Sequence, residues 1–238
     1  VNPFVNYLNT LQRSGGSNEN ALAESQACNA QFTSIHVSHP LAPVFFDELT
    51  KEGGHHVILT GHAGDGKSTI ALEVFKMLAG IEEDVPLATP LEPREESGNV
   101  TILKDLSERV KQDDGMLLKE LDSGERRFLI VSNTGTLLDI IKSNAAFFKS
   151  NALELETKVL EAIGSEEGET VLSIGSLQFR VFNLALIDNL DLARSIFERM
   201  LAQDRWIACA EKECAKTCPI YINVDLIQQH QQLILDRV

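Results

Sequence analysis

The residues with the most chemical content lie between 57 and 70 and read Val-Ile-Leu-Thr-Gly-His-Ala-Gly-Asp-Gly-Lys-Ser-Thr-Ile. Gly61, four further residues and then Gly66-Lys67-Ser68 fit the phosphate-loop pattern G-x-x-x-x-G-K-[ST] at every specified position. That spacing implies one chemistry. A strand delivers the chain into a turn made of Gly61, His62, Ala63, Gly64 and Asp65. Gly66, Lys67, Ser68 and Thr69 then open a helix. Backbone N–H groups along such a turn converge on phosphate oxygens. The ammonium of Lys67 neutralises charge on the β- and γ-phosphates, and the Ser68 hydroxyl is a ligand for Mg²⁺. Gly64 and Gly66 permit backbone conformations that a Cβ disfavours. A helix starting near Gly66 turns the positive end of its dipole toward the anion. ATP and Mg²⁺ are therefore the expected cofactors.

Hydrolysis needs more than a phosphate cradle, because an acid must hold the metal's water shell and a polar group must orient the attacking water. Asp105 follows the run Val100 to Lys104, in which Lys104 interrupts the apolar residues directly before the acid, and Glu108 stands one turn later. In the catalytic reading Asp105 holds the metal and Glu108 polarises water; in the plainer one Asp105 caps a helix over 106–121. Asn133, past the run Phe128 to Ser132, either contacts the γ-phosphate or is the turn residue of Asn133-Thr134-Gly135. If strand 128–132 is itself the metal-acid strand, Ser132-Asn133 stands where an acid is expected and catalysis is weak. Asp188 reads as a helix cap. His55, His56 and His62 read as ordinary polar surface, and Arg194 and Arg199 as solvated charges rather than fingers reaching another subunit's nucleotide.

Cys209, Cys214 and Cys218 fall within ten residues, after Trp206 and before Pro219. Three thiols there either hold Zn²⁺ with a ligand from elsewhere or form a reduced, partly buried group that knits a loop. The spacing contains no C-x-x-C pair.

The elements that must carry these residues follow from periodicity. An amphipathic helix is expected over 2–13, a Gly/Ser/Asn linker over Ser14 to Asn20, and a helix over 42–51 stopped by Gly53-Gly54. Beyond the loop helix, 82–99 reads as a mobile acidic loop. Strands are expected at 100–104 and 127–132, and a hairpin at 171–184 whose second strand feeds the central sheet. Helices are expected over 106–121, 136–149, 152–163, 189–203 and 224–236, with Val110 among the inward residues of the first. Strands alternating with helices predict an α/β, three-layer α/β/α fold of the P-loop NTPase kind with a mostly parallel sheet. An N-terminal helical arm is expected over 1–54, the nucleotide-binding core over 55–205, and a Cys-containing loop with the start of a C-terminal helical region over 206–238. In open sheets of this kind ligands bind past the carboxyl ends of the strands, so the loop, Asp105 and Asn133 are expected on one rim.

Charge narrows the partners. Of 238 residues, 21 are Lys or Arg and 35 are Asp or Glu, a formal net charge of −14. A field of that sign repels a nucleic-acid backbone, so any DNA contact is expected through an assembled complex. No apolar stretch reaches the roughly 18 residues of a membrane span. The start, Val1-Asn2-Pro3-Phe4, lacks the basic and apolar regions of a signal peptide, so a cytoplasmic location without membrane contact is expected. The missing initiator Met fits an excised piece.

The phosphate loop with a strand-end Asp and a strand-end Asn resembles AAA-type and related P-loop ATPases. More narrowly, four segments taken in order resemble the bacterial DNA phosphorothioation-dependent restriction protein family DptF. They are Leu59-Thr-Gly-His-Ala-Gly-Asp-Gly-Lys-Ser68, Lys104-Asp-Leu-Ser-Glu108, Phe128-Leu-Ile-Val-Ser-Asn133 and the Trp206…Cys209…Cys214…Cys218-Pro-Ile stretch. The resemblance implies an ATPase subunit of a multi-protein antiviral defence complex that restricts DNA lacking phosphorothioate marks. DNA contact and cleavage would be shared with other restriction-complex subunits. It also implies a longer protein, of which this chain is an N-terminal part. From a different class, the chain also reads as a nucleotide-binding interaction module in which ATP is a structural clamp.

Overall fold

A computed structural model describes residues 2–11, 26–108 and 110–235. The chain divides into two compact units: Ser38–Val85 with Thr89–Ile187, and Val1–Val37 with Pro86–Ala88 and Asp188–Val238. The sequence alone drew its boundaries at 54/55 and 205/206.

The larger unit is built on one six-stranded sheet: β1 (His56–Thr60), β2 (Arg94–Ser97), β3 (Val100–Leu103), β4 (Arg127–Val131), β5 (Glu169–Ile174) and β6 (Leu177–Asn183). Their spatial order is β2-β3-β4-β1-β6-β5. β3, β4, β1 and β6 run parallel, while β2 and β5 pair antiparallel on the two edges. Every residue of β1 is buried. A continuous apolar run suits a parallel strand covered on both faces.

Alternation sorts the side chains into two layers. Ile58, Phe128, Ile130, Phe179 and Val181 face helices Asp114–Ser123, Thr134–Ser143 and Ala152–Ile163. Val57, Leu59, Leu129, Val131 and Phe182 face helices Leu41–Thr50 and Lys67–Ala79. Burying each such side chain stabilises the fold by about 2 kcal/mol relative to exposure. The expected α/β/α sandwich with a mostly parallel sheet is present. The hairpin is present too, with its second strand beside β1.

Three expectations are corrected. The supposedly mobile acidic loop at 82–99 carries edge strand β2, whose sequence Arg-Glu-Glu-Ser lacks apolar alternation because it lies exposed. Ion pairs Arg94–Glu96, Arg94–Glu120 and Arg126–Glu96 tie it down. The Lys76 ammonium pins the preceding turn by donating to the carbonyls of Glu83 and Val85 at 2.9 and 2.7 Å. The helix expected from 106 starts instead at Asp114, after 3₁₀ turns at Leu106–Glu108 and Lys111–Asp113. Val110, expected inward, is 58 % exposed, so the apolar period that suggested one long helix is not satisfied there. The last helix begins earlier, at Pro219, where a missing N–H costs nothing, and breaks at His230 into Pro219–Gln229 and Gln231–Leu235.

The second unit is helical. Phe4 and Tyr7 of helix Pro3–Leu11, Ile35 of Ala30–Ile35, Leu201 of Leu190–Leu201, Trp206 of Gln203–Ala210 and Val224 form its core. Phe4 meets Trp206 edge-on, with ring centroids 5.8 Å apart. The Asn2 carboxamide oxygen accepts the Phe4 N–H, as expected of Asn2-Pro3 at a helix start. The linker read at Ser14 to Asn20 lies outside the described residues. Among the described residues no helix is long and apolar enough to cross a membrane.

Candidate phosphate-binding site

β1 ends at Thr60, which is fully buried, and the chain leaves the sheet through Gly61 with φ +150°. A Cβ on Gly61 would stand 2.8 Å from an Asp65 carboxylate oxygen and 3.3 Å from Leu184 Cβ, so conformation and crowding both demand glycine. Gly64 and Gly66 have φ +88° and +93°, and open space surrounds their Cβ positions. Gly66 is the N-cap of helix Lys67–Ala79 and offers no side chain to its free N–H groups. The first helical hydrogen bond runs from Ile70 N–H to Gly66 O. Among the described residues, the N–H groups of Gly64, Gly66, Lys67, Ser68 and Thr69 meet no protein acceptor. A row of free donors at a helix N-terminus, with glycines opening the approach, is a cradle suited to a polyanion.

Lys67 folds back over this loop. Its ammonium donates to the carbonyls of Gly61 at 3.2 Å and His62 at 2.5 Å. Both bonds are to acceptors that a phosphate oxygen can replace, and a charged partner makes the stronger bond.

The sheet register fixes the neighbours of the loop. Leu59 pairs with Val131 and Ile130 with Leu103, while Thr60 pairs with Asn183 on the other side. The carboxyl ends of β3, β4, β1 and β6 therefore lie along one edge, and Asp105, Asn133 and Gly61 all follow strands ending there. Asn133 comes from the strand beside β1. Its Oδ1 accepts the Thr136 N–H at 2.8 Å and caps helix Thr134–Ser143. Asp105 comes from β3, which β4 separates from β1, so the two strands are roughly 10 Å apart. Its Oδ1 accepts the Ser107 N–H at 2.7 Å, so one carboxylate oxygen caps the first 3₁₀ turn. Asp105 also lines a cavity of about 400 Å³ with Leu103, Leu106, Val110, Met116 and Leu117. Glu108 ends that same 3₁₀ turn, and its side chain lies outside the described residues.

Comparison with models of protein families, with curated proteins and with solved structures finds no match. What the chain shows of its kind is the α/β fold with its mixed, mostly parallel sheet.

Several residues behave differently from their sequence reading. His56 is core, 5 % exposed, between Phe128 and Phe179. Its Nδ1 accepts the Phe128 N–H and its Nε2 donates to Leu121 O, both at 3.2 Å. Burial, reinforced by the charges of Arg127 and His55, pushes its pKa down to about 4. His55 joins a cluster around Glu48, a carboxylate only 1 % exposed. Burial alone would raise the Glu48 pKa; bonds from Lys51, the His55 N–H, Arg180 and the His55 ring hold it at about 2. Sequence reasoning missed Glu48, because an acid inside the apolar period of helix Leu41–Thr50 carries no signal of its partners. Arg199 donates to His36 O and Arg194 to Leu235 O, so both are engaged within their own unit. Cys209 Sγ accepts from Asn2, and Cys214 is exposed. Among the described residues, no group of three or more His, Cys, Asp or Glu is arranged to hold a metal ion.

Sequence reasoning also missed three supports of the loop. Asp65 bonds the His62 N–H at 2.6 Å. Thr60 and Thr134 hydroxyls lie 3.4 Å apart, joining the ends of β1 and β4. Leu184 and Ala185, after β6, pack against Gly61.

Proposed function

We propose that the chain binds Mg·ATP at Gly61–Thr69 and hydrolyses it as a subunit of a DNA phosphorothioation-dependent restriction complex in the bacterial cytoplasm. The observation that carries the nucleotide part is the set of N–H groups at Gly64 and Gly66 to Thr69 that meet no protein acceptor among the described residues, just past the end of a buried parallel strand. The restriction assignment rests on the ordered resemblance of the four segments to DptF.

On this reading Lys67 leaves the Gly61 and His62 carbonyls and pairs with phosphate oxygens, while the N–H groups of Gly66 to Thr69 fix the phosphate chain. Mg²⁺, held by Ser68 and through water by Asp105, would supply charge neutralisation where negative charge gathers. Asp105 has one oxygen for this, since the other caps Ser107. Asn133 divides its amide likewise: Oδ1 caps the helix, and Nδ2 carries two donors for a phosphate oxygen or the attacking water.

A second reading is favoured by the same bonds. Asp105 and Asn133 both serve as caps, as they would in a module that holds ATP as a clamp without turning it over. ATP binding and turnover by the whole chain, beside Lys67→Ala and Asp105→Asn, with and without DNA, separate the two. Hydrolysis predicts binding lost in Lys67→Ala and turnover, but not binding, lost in Asp105→Asn. Binding lost in Lys67→Ala with no turnover in any protein means the clamp. A wild-type chain that takes up no ATP overturns both.

A further inference from the structure

We propose that Asp65 is a positioning residue: its carboxylate clamps the His62 peptide and so holds the loop in its phosphate-accepting shape. The inference rests on the nucleotide-binding reading and goes beyond it by assigning a role to a side chain that the loop pattern leaves unspecified.

His62 is held through both of its backbone polar groups, which belong to the two successive peptide units that flank its Cα. The His62 N–H donates to Asp65 Oδ2 at 2.6 Å, a short, charge-assisted bond. The His62 carbonyl accepts from the Asp65 N–H at 3.4 Å and from Lys67 Nζ at 2.5 Å. His62 is therefore tied at both ends, and among the described residues it is the loop peptide whose N–H is claimed by a side chain. Asp65 occupies the space beside Gly61 that a Cβ there would enter, 2.8 Å from the Cβ position. The carboxylate thus fills the inner side of the turn Gly61–Asp65. Asp65 thereby takes the His62 N–H out of the set of donors open to a ligand, while those of Gly64 and Gly66 to Thr69 stay without a protein acceptor among the described residues.

Three glycines with positive φ make this stretch costly to order, because Gly loses the most conformational freedom on becoming fixed. A loop that must be ordered by its ligand binds more weakly, in proportion to the fraction of chains already in the competent shape. A side chain bonding an N–H three residues earlier works like a helix cap, and losing such a bond shifts the local equilibrium about tenfold. The carboxylate charge opposes an incoming polyanion, so the bond rather than the charge must be the useful part of Asp65.

Asp65→Asn keeps an oxygen for the His62 N–H and removes the charge; Asp65→Ala removes both. ATP affinity of the full chain by calorimetry is expected to fall about tenfold in Asp65→Ala and to stay within about twofold of wild type in Asp65→Asn. The ligand-free melting temperature should fall by no more than a few degrees in Asp65→Ala and stay at the wild-type value in Asp65→Asn. Amide exchange by NMR gives a readout that needs no nucleotide, with the His62 N–H protected in wild type and Asp65→Asn and at least about tenfold faster in Asp65→Ala. Asp65→Ala binding ATP as tightly as wild type, or Asp65→Asn impaired equally with it, overturns the proposal. So does an unprotected His62 amide in wild type, which decides the matter even if Asp65→Ala does not fold. A blank wild-type titration overturns the nucleotide reading and the affinity claim with it, while the exchange rates still decide whether the clamp exists.

Discussion

His56 and Glu48 are buried at the amino-terminal side of the sheet, one held neutral and the other charged, and the direction of each pKa shift determines how the larger unit responds to acid. His56 is held neutral: Nδ1 faces the Phe128 N–H, so a proton there would set two donors against each other. Its pKa of about 4 lies below the ordinary 6.5, so the unfolded chain takes up a proton first as pH falls. Stability is then fully present above pH 6.5 and is lost progressively down to about 4. Glu48 is held charged, with a pKa of about 2 against an ordinary 4.5, so its contribution is present above 4.5 and is lost from there down to about 2. The two windows nearly abut, and the larger unit should weaken across the whole range below neutrality. His56→Gln keeps a donor and an acceptor but cannot titrate. The stability difference between wild type and this variant should therefore shrink by on the order of 3 kcal/mol between pH 7 and 4. Urea unfolding at those two pH values measures it, and equal pH dependence in both proteins would remove His56 as the cause.

At the scale of elements, the same cap bonds that start helices also fix the candidate catalytic groups, which makes the two roles separable. Asn133→Ala removes the acceptor for Thr136 N–H and should cost about 1 kcal/mol of stability. Asn133→Ser keeps an oxygen at the N-cap and lacks the amide donors, so stability should hold while ATP turnover falls. Turnover equal to wild type in Asn133→Ser would make Asn133 a cap and nothing more. What could be read from sequence follows the same logic. β1, the loop and helix Lys67–Ala79 were legible because an apolar run, obligatory glycines and a helical period agree over one stretch. β4 and the β5–β6 hairpin were legible because their burial is written in consecutive or alternating apolar residues. β2 was not, since an exposed edge strand of Arg, Glu and Ser has no apolar period to read. Helix 106–121 was overextended because leucines at 106, 117, 118 and 121 keep rough helical spacing, whereas Leu106–Glu108 follows the Asp105 turn and both it and Lys111–Asp113 form short 3₁₀ turns. Asp65, Glu48 and Arg180 take their roles from partners 3 to 132 residues away, which local patterns do not encode.

For the whole molecule, charge decides between phosphate held in a pocket and phosphate along a duplex. A formal charge of −14 raises a negative potential that DNA, with many phosphates in reach, must meet over an extended surface. ATP meets a different balance. At physiological salt the field is screened beyond about 8 Å, so at the proposed site the N–H groups of Gly64 and Gly66 to Thr69 and the Lys67 ammonium would outweigh distant carboxylates. Several basic side chains elsewhere are engaged internally: Arg94 and Arg126 on Glu96, Arg180 on Glu48 and Glu169, Arg205 on the Arg199 and Ser34 carbonyls. The isolated chain should therefore bind ATP while showing no duplex association up to about 100 µM at 0.15 M salt, weaker than ordinary non-specific DNA binders. Fluorescence anisotropy with a labelled duplex, with and without Mg·ATP, checks this. If partner subunits supply the basic surface, DNA association should appear only on adding them, with a salt slope reporting their phosphate contacts. Micromolar DNA binding by this chain alone would contradict the charge argument.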